Sequence, residues 1–122
     1  MPDTFDIGEF NRRWLAGWTA KDVDGLLAFY TPSTRFFGPA EPAGVTGLDA
    51  LRRYLETSFA GQPPITYAED ESWPVPGGYC ARWYATIETP AGPRRLRGFD
   101  FVLLEDGLIA HNEVYIHNLP PG

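Results

Sequence analysis

Four strand-like segments fill the second half of the chain, and turn residues separate each segment from the next. The predicted strands span residues 65–73, 79–88, 94–105 and 108–117. The separators are residues 74–78, residues 90–93 and the pair Asp106-Gly107. An Asp-Gly pair between apolar runs is the strongest short-range signal for a β-hairpin. Successive strands joined in this way predict a meandering, mainly antiparallel sheet.

The first half of the chain has helical periodicity instead. Apolar residues recur at i, i+4 and i+8 in a predicted helix over residues 6–20, at Phe10, Trp14 and Trp18. Asp22 can cap a second helix over residues 23–30. Thr46 and Asp49 have the spacing of a capping box, which predicts a third helix to about residue 59.

Two short segments lie between the second and third helices. Residues 34–37 are predicted to form a short strand, and residues 38–44 contain too much proline and glycine for regular structure. Helices followed by meandering strands predict an α+β fold, with the helices on one face of a curved sheet that encloses a conical cavity. With 122 residues, the chain fits a single domain over residues 1–122.

The net charge and the aromatic content of the chain limit the kinds of molecule that it is expected to bind. The formal net charge of −6 argues against nucleic-acid binding, which needs clustered lysine and arginine. Aromatic residues make up 15% of the chain, and such rings either fill a core or line a ligand pocket. Both interpretations remain open from the sequence.

Several signatures of other protein classes are absent from the sequence. No apolar run is long enough to span a membrane, and Met1 to Thr4 lack the features of a secretion signal, so we expect a cytoplasmic protein. With a single cysteine there is no disulfide framework. No phosphate-binding loop, dinucleotide fingerprint or G-x-S-x-G elbow is present, and we therefore expect no cofactor.

Three segments of the chain resemble the NTF2-like superfamily, and its SnoaL-like and ketosteroid isomerase-like members in particular. They are the opening helices over residues 14–30, the start of the third helix over residues 45–51, and the final hairpin over residues 98–115. The resemblance implies a cone in which the sheet wraps around three N-terminal helices, and it implies a homodimer formed through the outer face of the sheet. Members of the superfamily include isomerases, polyketide cyclases, an epoxide hydrolase and transport factors, so the fold does not fix the activity.

Comparison with ketosteroid isomerase tests three catalytic positions. The general base of that enzyme is replaced here by Gly38, and its helical tyrosine by Trp14, whereas Asp100 matches its protonated aspartate. Glycine has no side chain that could take a proton, and an indole N–H can donate a hydrogen bond without comparable acidity. Only one of the three catalytic residues therefore has a counterpart in this chain, and we do not expect steroid isomerisation by that mechanism.

Asp100 is the leading candidate for catalysis because it lies in an otherwise apolar strand. Burial would raise its pKa and suit it to general acid or base work. A three-residue turn at Glu105 to Gly107 would place Asp100 opposite Asn112, which could orient the carboxyl group. A two-residue turn at Asp106-Gly107 would place it opposite Glu113 instead.

The last strand presents two histidines and a glutamate on one face. His111, Glu113 and His117 suggest a metal site, but His111 and His117 would be about 20 Å apart at roughly 3.3 Å per residue. We therefore expect no metal site and interpret this face as an outer, dimer-forming surface.

These observations give two hypotheses for function. The first is a domain that binds a hydrophobic, oxygenated small molecule and catalyses a cofactor-independent isomerisation, cyclisation or hydration, with Asp100 as acid or base and Asn112 as its orienting partner. The second is a non-enzymatic ligand-binding or dimeric assembly domain in which Asp100 is structural. The residues expected to bind the ligand are Trp14, Trp18, Phe37, Tyr54, Phe59, Trp73, Trp83 and Val102.

Overall fold

The structure is a computed structural model that describes residues 5–120. Met1 to Thr4, on which the expected localisation partly rests, lie outside the described residues, as do the last two residues of the predicted domain. Within residues 5–120, no helix is both long and apolar enough to cross a membrane.

Three helices and six strands make up the fold. In chain order they are α1 (Ile7–Ala20), α2 (Val23–Leu27), β1 (Tyr30–Gly38), β2 (Glu41–Thr46), α3 (Leu48–Ala60), β3 (Ile65–Val75), β4 (Gly78–Thr89), β5 (Gly92–Glu105) and β6 (Leu108–Asn118). The strands form one sheet in the order β2-β1-β6-β5-β4-β3. All neighbours pair antiparallel except β1 and β6, which pair parallel. The predicted α+β cone with a curved, mainly antiparallel sheet is confirmed.

Helix α1 has well-defined ends and a buried apolar side. The Asp6 carboxylate accepts a hydrogen bond from the Glu9 backbone N–H at 3.0 Å, which satisfies one of the free donors in the first turn. Lys21 ends the helix in the left-handed conformation. Phe10, Trp14 and Leu15 are buried against the sheet and the other helices, so the apolar stripe places Trp14 in the core.

The segment between α2 and α3 differs from the prediction. Helix α2 ends at Leu27 because the chain joins the sheet soon afterwards, where the Ile109 N–H donates to the Phe29 carbonyl at 2.7 Å. Residues 41–46 form β2 despite their proline and glycine content. Among the described strands it pairs with β1 alone, and proline is tolerated on such an edge strand. The capping-box prediction was also wrong, since Thr46 belongs to β2 and Gly47 precedes α3 without a side-chain cap.

The β5–β6 hairpin has a register that neither sequence alternative anticipated. Asp106 and Gly107 both have positive φ and form the predicted two-residue turn. The register then shifts, because Leu104 pairs with Ile109 and Leu103 pairs with His111, which leaves Ala110 as an extra residue. Asp100 consequently pairs with Val114 rather than with Asn112 or Glu113.

Candidate functional site

A cavity of about 210 Å³ opens between the helices and the concave face of the sheet. Six aromatic side chains contribute to its wall: Trp14, Trp18, Phe36, Tyr54, Tyr67 and Trp83. Aliphatic residues complete most of the remaining wall: Leu15, Ile65, Leu96, Val114 and Ile116. Its main polar groups are Ser58, Gln62 and Asp100. An apolar cavity with a few polar groups is the usual form of a small-molecule site.

The cavity has a closed end and a mouth. Asp100 and Trp14 are each only 1% exposed, so they lie at the closed end. Ile116 is 37% exposed and Pro39 is also exposed, so these residues mark the mouth. The one carboxyl group on the cavity wall, among the residues that the structure describes, is therefore among the most buried groups of that wall.

Two hydrogen-bond donors hold the Asp100 carboxyl group. The Trp83 indole N–H donates to Oδ2 at 2.7 Å, and the Asn112 amide donates to Oδ1 at 3.3 Å. Burial raises the pKa of Asp100 from 3.8 to about 7, although both donors favour the carboxylate and lower it. At neutral pH the group therefore exists in both the protonated and the ionised form.

Gly98 allows the Trp83 ring to reach Asp100. Trp83 on β4 pairs with Gly98 on β5, two residues before Asp100 and on the same face of the sheet. A Cβ atom added at Gly98 would overlap the indole ring, with Cζ2 as the nearest atom. The absence of a side chain at this position lets the indole lie across β5, with its N–H directed at the carboxyl group.

A chain of hydrogen bonds links Asp100 to helix α1. Asn112 Oδ1 accepts from the Tyr30 hydroxyl at 3.1 Å, and that hydroxyl accepts from the Trp14 indole N–H at 3.2 Å. Burial raises the pKa of Tyr30 far above its ordinary value, so it remains a neutral donor. Asn112 is thus held in the orientation in which its amide N–H₂ group faces Asp100. The Trp14 donor is used within this chain of hydrogen bonds and does not point at a ligand.

The structure brings together part of the predicted ligand-binding set. Trp14, Trp18, Tyr54 and Trp83 line the cavity with Asp100, and Asn112 lies behind the carboxyl group. The other four residues are outside the lining: Phe37, Phe59, Trp73 and Val102.

Each of those four has a different location. Strand alternation turns Phe36 into the cavity and Phe37 to the outer face, where its ring packs 5.3 Å from His111. Phe59 packs edge-on against Trp18 at 5.7 Å. Trp73 is 38% exposed beside Phe99, and Val102 is fully buried in the core.

Four polar residues at or near the site were not singled out from the sequence, namely Tyr30, Ser58, Gln62 and Tyr67. The sequence pattern predicted Tyr30 to lie in a helix. Because a buried tyrosine hydroxyl normally needs a hydrogen-bond partner, Tyr30 could have been identified as part of a polar cluster. Ser58, Gln62 and Tyr67 line the cavity. Tyr67 is two residues from Ile65 in a predicted strand, which puts both on one face, whereas Gln62 lies beyond the third helix and has no local signal of this kind.

The two histidines of β6 contact neighbouring charged side chains rather than each other. His111 Nε2 lies 2.7 Å from Glu113, and the Arg35 side chain donates to His111 Nδ1 at 3.3 Å. His117 lies near Arg97 on the outer face. No group of three potential metal ligands occurs among residues 5–120.

The sequence matches a family model and one curated relative. A model described as a SnoaL-like domain matches residues 11–112. Epoxide hydrolase LasB of Streptomyces lasalocidi is 34% identical, over 77% of this chain and 41% of the hydrolase. The chain thus spans about two-fifths of the length of that relative.

Solved structures share the fold at low sequence identity. A hypothetical protein of Catenulispora acidiphila with a ketosteroid isomerase-like fold, in complex with trimethylamine, has a TM-score of 0.78 and 13% identity over 90% of this chain and 86% of that chain. A Mycobacterium tuberculosis protein in complex with estradiol-17beta-hemisuccinate has a TM-score of 0.72 and 19% identity over 89% and 92% of the two chains. Likeness at these identities establishes the architecture and no activity.

Proposed function

The chain belongs to the SnoaL-like domain family, and we propose that it binds a hydrophobic, oxygenated small molecule and uses Asp100 on that molecule as a general acid–base group without a cofactor. Members of one fold carry out unrelated reactions, so the proposal rests on the site. The observation that carries it is a single carboxyl group, 1% exposed, at the closed end of an aromatic cavity.

The pKa of Asp100 suits it to transfer protons in both directions. General catalysis is most effective when the pKa of the group lies near the working pH, and the pKa here is about 7. The protonated carboxyl group would donate to a carbonyl, epoxide or hydroxyl oxygen of the ligand. The carboxylate would take a proton from an acidic C–H or from water. Trp83 and Asn112 would keep their hydrogen bonds to the two oxygens of the carboxyl group in both protonation states.

One carboxyl group on the wall limits the mechanism. By the sequence resemblance, Gly38 stands where ketosteroid isomerase has its general base. Asp100 is the one carboxyl group that lines the cavity in the described part of the chain. The same residue would therefore give and take the proton. Isomerisation, cyclisation and hydration are the reaction classes that fit this arrangement.

The curated relative adds one reaction to test. It is named an epoxide hydrolase, and epoxide opening is accelerated by proton donation to the epoxide oxygen. A protonated Asp100 would supply that proton. Because the match spans 41% of the relative, we include epoxide hydration as a candidate reaction rather than as an inherited activity.

The second candidate function is non-enzymatic ligand binding or dimeric assembly with a structural Asp100. The observation in its favour is that the Trp14, Tyr30 and Asn112 donors are all used within the protein. In this case the carboxyl group would only complete the hydrogen-bond chain.

We also propose a homodimer that forms through the outer face of the sheet. Trp73, Phe99 and Tyr115 are exposed there, and the first two rings lie 6.1 Å apart. Exposed aromatic side chains on one face are typical of interaction surfaces.

Turnover of small probes separates catalysis from binding alone. Hydrolysis of styrene oxide and isomerisation of 3-cyclohexenone to 2-cyclohexenone would be followed with the wild-type protein and with Asp100→Asn. We expect a pH profile that depends on a group of pKa about 7 and a decrease in kcat/KM of about 10²–10⁴-fold in Asp100→Asn. Equal rates in the two proteins would exclude Asp100 as a catalytic residue. Probe binding without turnover would favour the second candidate.

A further inference from the structure

One residue on the cavity wall carries a buried polar atom that has no hydrogen-bond partner among the described residues. Three buried side-chain oxygens in residues 5–120 lack a hydrogen bond, namely those of Thr31, Thr34 and Gln62. Of the three residues, Gln62 is the one that lines the cavity. A buried acceptor without a donor is unfavourable, so the Gln62 amide oxygen is a site at which a ligand donor would gain a hydrogen bond.

The backbone around Gln62 is held in place. Its N–H donates to the Phe59 carbonyl at 3.3 Å, just beyond the end of α3. The Lys21 ammonium group donates to the carbonyl oxygens of Gln62 at 2.7 Å and of Pro63 at 3.2 Å. The segment is therefore tied to the end of α1, which fixes the origin of the Gln62 side chain relative to the cavity.

Gln62 and Asp100 lie at different depths in the cavity. Asp100 is at the closed end, whereas Gln62 is partly exposed and is flanked by the exposed residues Gly61 and Pro63. A ligand that touches both would have one polar group near the carboxyl group and another near the mouth. The aromatic wall between them favours flat rings.

The charge of the wall restricts the ligand further. No lysine, arginine or histidine of the described chain lines the cavity, so an anionic ligand would have no counter-charge. Burial raises the pKa of Tyr54, and raises that of Tyr67 to about 12, so both phenols are neutral. An apolar cavity of roughly 150 Å³ holds benzene. A cavity of about 210 Å³ that is open at one end accommodates one or two rings.

We propose that Gln62 determines specificity by accepting a hydrogen bond from the ligand, and that the ligand is a neutral compound of one or two rings with an O–H or N–H group directed at the cavity mouth. This inference rests on the proposed function, because it concerns the same cavity. It adds a residue outside the Asp100 hydrogen-bond chain and a chemical class of ligand.

Matched probes test the inference by binding alone. They are 2-naphthol, 2,6-dihydroxynaphthalene and 6-methoxy-2-naphthol. At carbon 6 the first has no polar group, the second has a hydrogen-bond donor, and the third has only an acceptor. The same substitutions on 4-hydroxybiphenyl vary the distance between the two oxygens. Binding would be measured by quenching of tryptophan fluorescence, since three of the four tryptophans line the cavity.

On at least one scaffold, we expect the dihydroxy compound to bind about tenfold more tightly than the other two. Gln62→Leu should remove that preference, and Gln62→Glu, which keeps only acceptors, should retain it. Thermal melting would verify that both variants are folded.

The outcomes separate this inference from the proposed function. If no probe binds, both fail. If 2-naphthol binds in a manner that depends on Asp100 but Gln62→Leu leaves every affinity unchanged, only the inference fails. Tighter binding of the methoxy compound, or of 1-naphthylmethylammonium, would also overturn it, because the ligand would then be an acceptor or a cation.

Discussion

At the scale of single residues, Asp100 is governed by two opposing effects. Burial among apolar groups disfavours its charge and raises the pKa, and the donors of Trp83 and Asn112 favour the charge and lower it. Their balance gives a pKa of about 7, in the range where a carboxyl group can both donate and accept a proton. The same balance has consequences for stability that can be measured without a substrate.

Asp100→Asn should change how stability depends on pH. The unfolded chain loses this proton near pH 3.8, and the folded chain loses it near pH 7. The folded state therefore binds more protons at Asp100 between these values, and the contribution of Asp100 to stability must fall as pH rises from about 4 to about 7, with no further loss above that. The difference in the free energy of unfolding between wild type and Asp100→Asn should change by up to about 4 kcal/mol across this range.

Urea unfolding at pH 4, 6 and 8 would measure this difference. Glu105→Gln is the matched control, since it removes one charge from an exposed side chain at the end of β5. Parallel stability curves for wild type and Asp100→Asn would mean that Asp100 has an ordinary pKa.

Trp83→Phe should raise the pKa of Asp100 above 7. The substitution keeps an aromatic ring and removes the N–H that donates to Oδ2 at 2.7 Å. A hydrogen bond to a charged group contributes about 1.5–3 kcal/mol, which corresponds to a shift of roughly one to two units. Carboxyl-carbon NMR would measure the shift, with Trp73→Phe on the outer face as a control that leaves the pKa unchanged. A fall in the pKa would contradict the role given to Trp83.

The sequence could single out Asp100 but could not describe its surroundings. A carboxyl group between phenylalanines is conspicuous in a strand, and the alternation of β6 places Asn112 on the inner side. The choice between Phe36 and Phe37 as the inward ring depends on the phase of β1, and adjacent phenylalanines carry no information about phase. Gln62 acquires its position from the tertiary contact with Lys21, which has no local signature.

At the scale of elements, the site depends on the close contact of β4 with β5. Gly98 leaves room for the Trp83 ring, and that ring forms part of the cavity wall. Gly98→Ala would force the indole to move, because its Cβ would overlap the ring. Overpacking of this kind usually costs about 1–3 kcal/mol.

We therefore expect Gly98→Ala to lower the free energy of unfolding by about 1–3 kcal/mol and to weaken 2-naphthol binding. Gly61→Ala is the matched control, because a Cβ atom added at Gly61 would have no neighbour within 4 Å and the φ of this residue is −105°. It should change stability by less than about 0.5 kcal/mol. Equal effects of the two substitutions would show that the close contact at Gly98 is unimportant.

The elements themselves were predicted unevenly, and the reasons are physical. Long periodic segments such as α1 and the β5–β6 hairpin could be recognised because helical spacing and Asp-Gly turn chemistry are local. Strand β2 was missed because its stability comes from pairing with β1 rather than from residue preference. The bulge at Ala110 was missed for a similar reason, since it is defined only by the pairing of two strands.

At the scale of the whole molecule, the two faces of the sheet have different surroundings. The concave face and the helices enclose the cavity, and the outer face exposes aromatic residues together with arginines. Arg82 lies over the Trp73 ring at 5.4 Å and bonds to Asp70 at 2.7 Å, so its charge is partly neutralised beside the exposed rings. We propose this outer face as the homodimer interface.

Phe99→Glu should convert the dimer to a monomer, because it places a charge in the centre of the exposed aromatic surface. Sedimentation velocity would measure the state of association. Thr57→Glu adds the same charge to an exposed position of α3 and should leave the dimer intact. A monomeric wild-type protein, or dissociation by both substitutions, would contradict the proposed interface.

The central claim is that Asp100 holds a transferable proton at the closed end of the cavity, and a carboxyl-carbon NMR titration of the wild-type protein tests it most directly. Asp100→Asn assigns the resonance by its disappearance. The structure predicts a midpoint of about 7. A midpoint at or below about 3.9, the value of a solvated aspartate, would contradict the account and leave Asp100 as a structural residue of a binding domain.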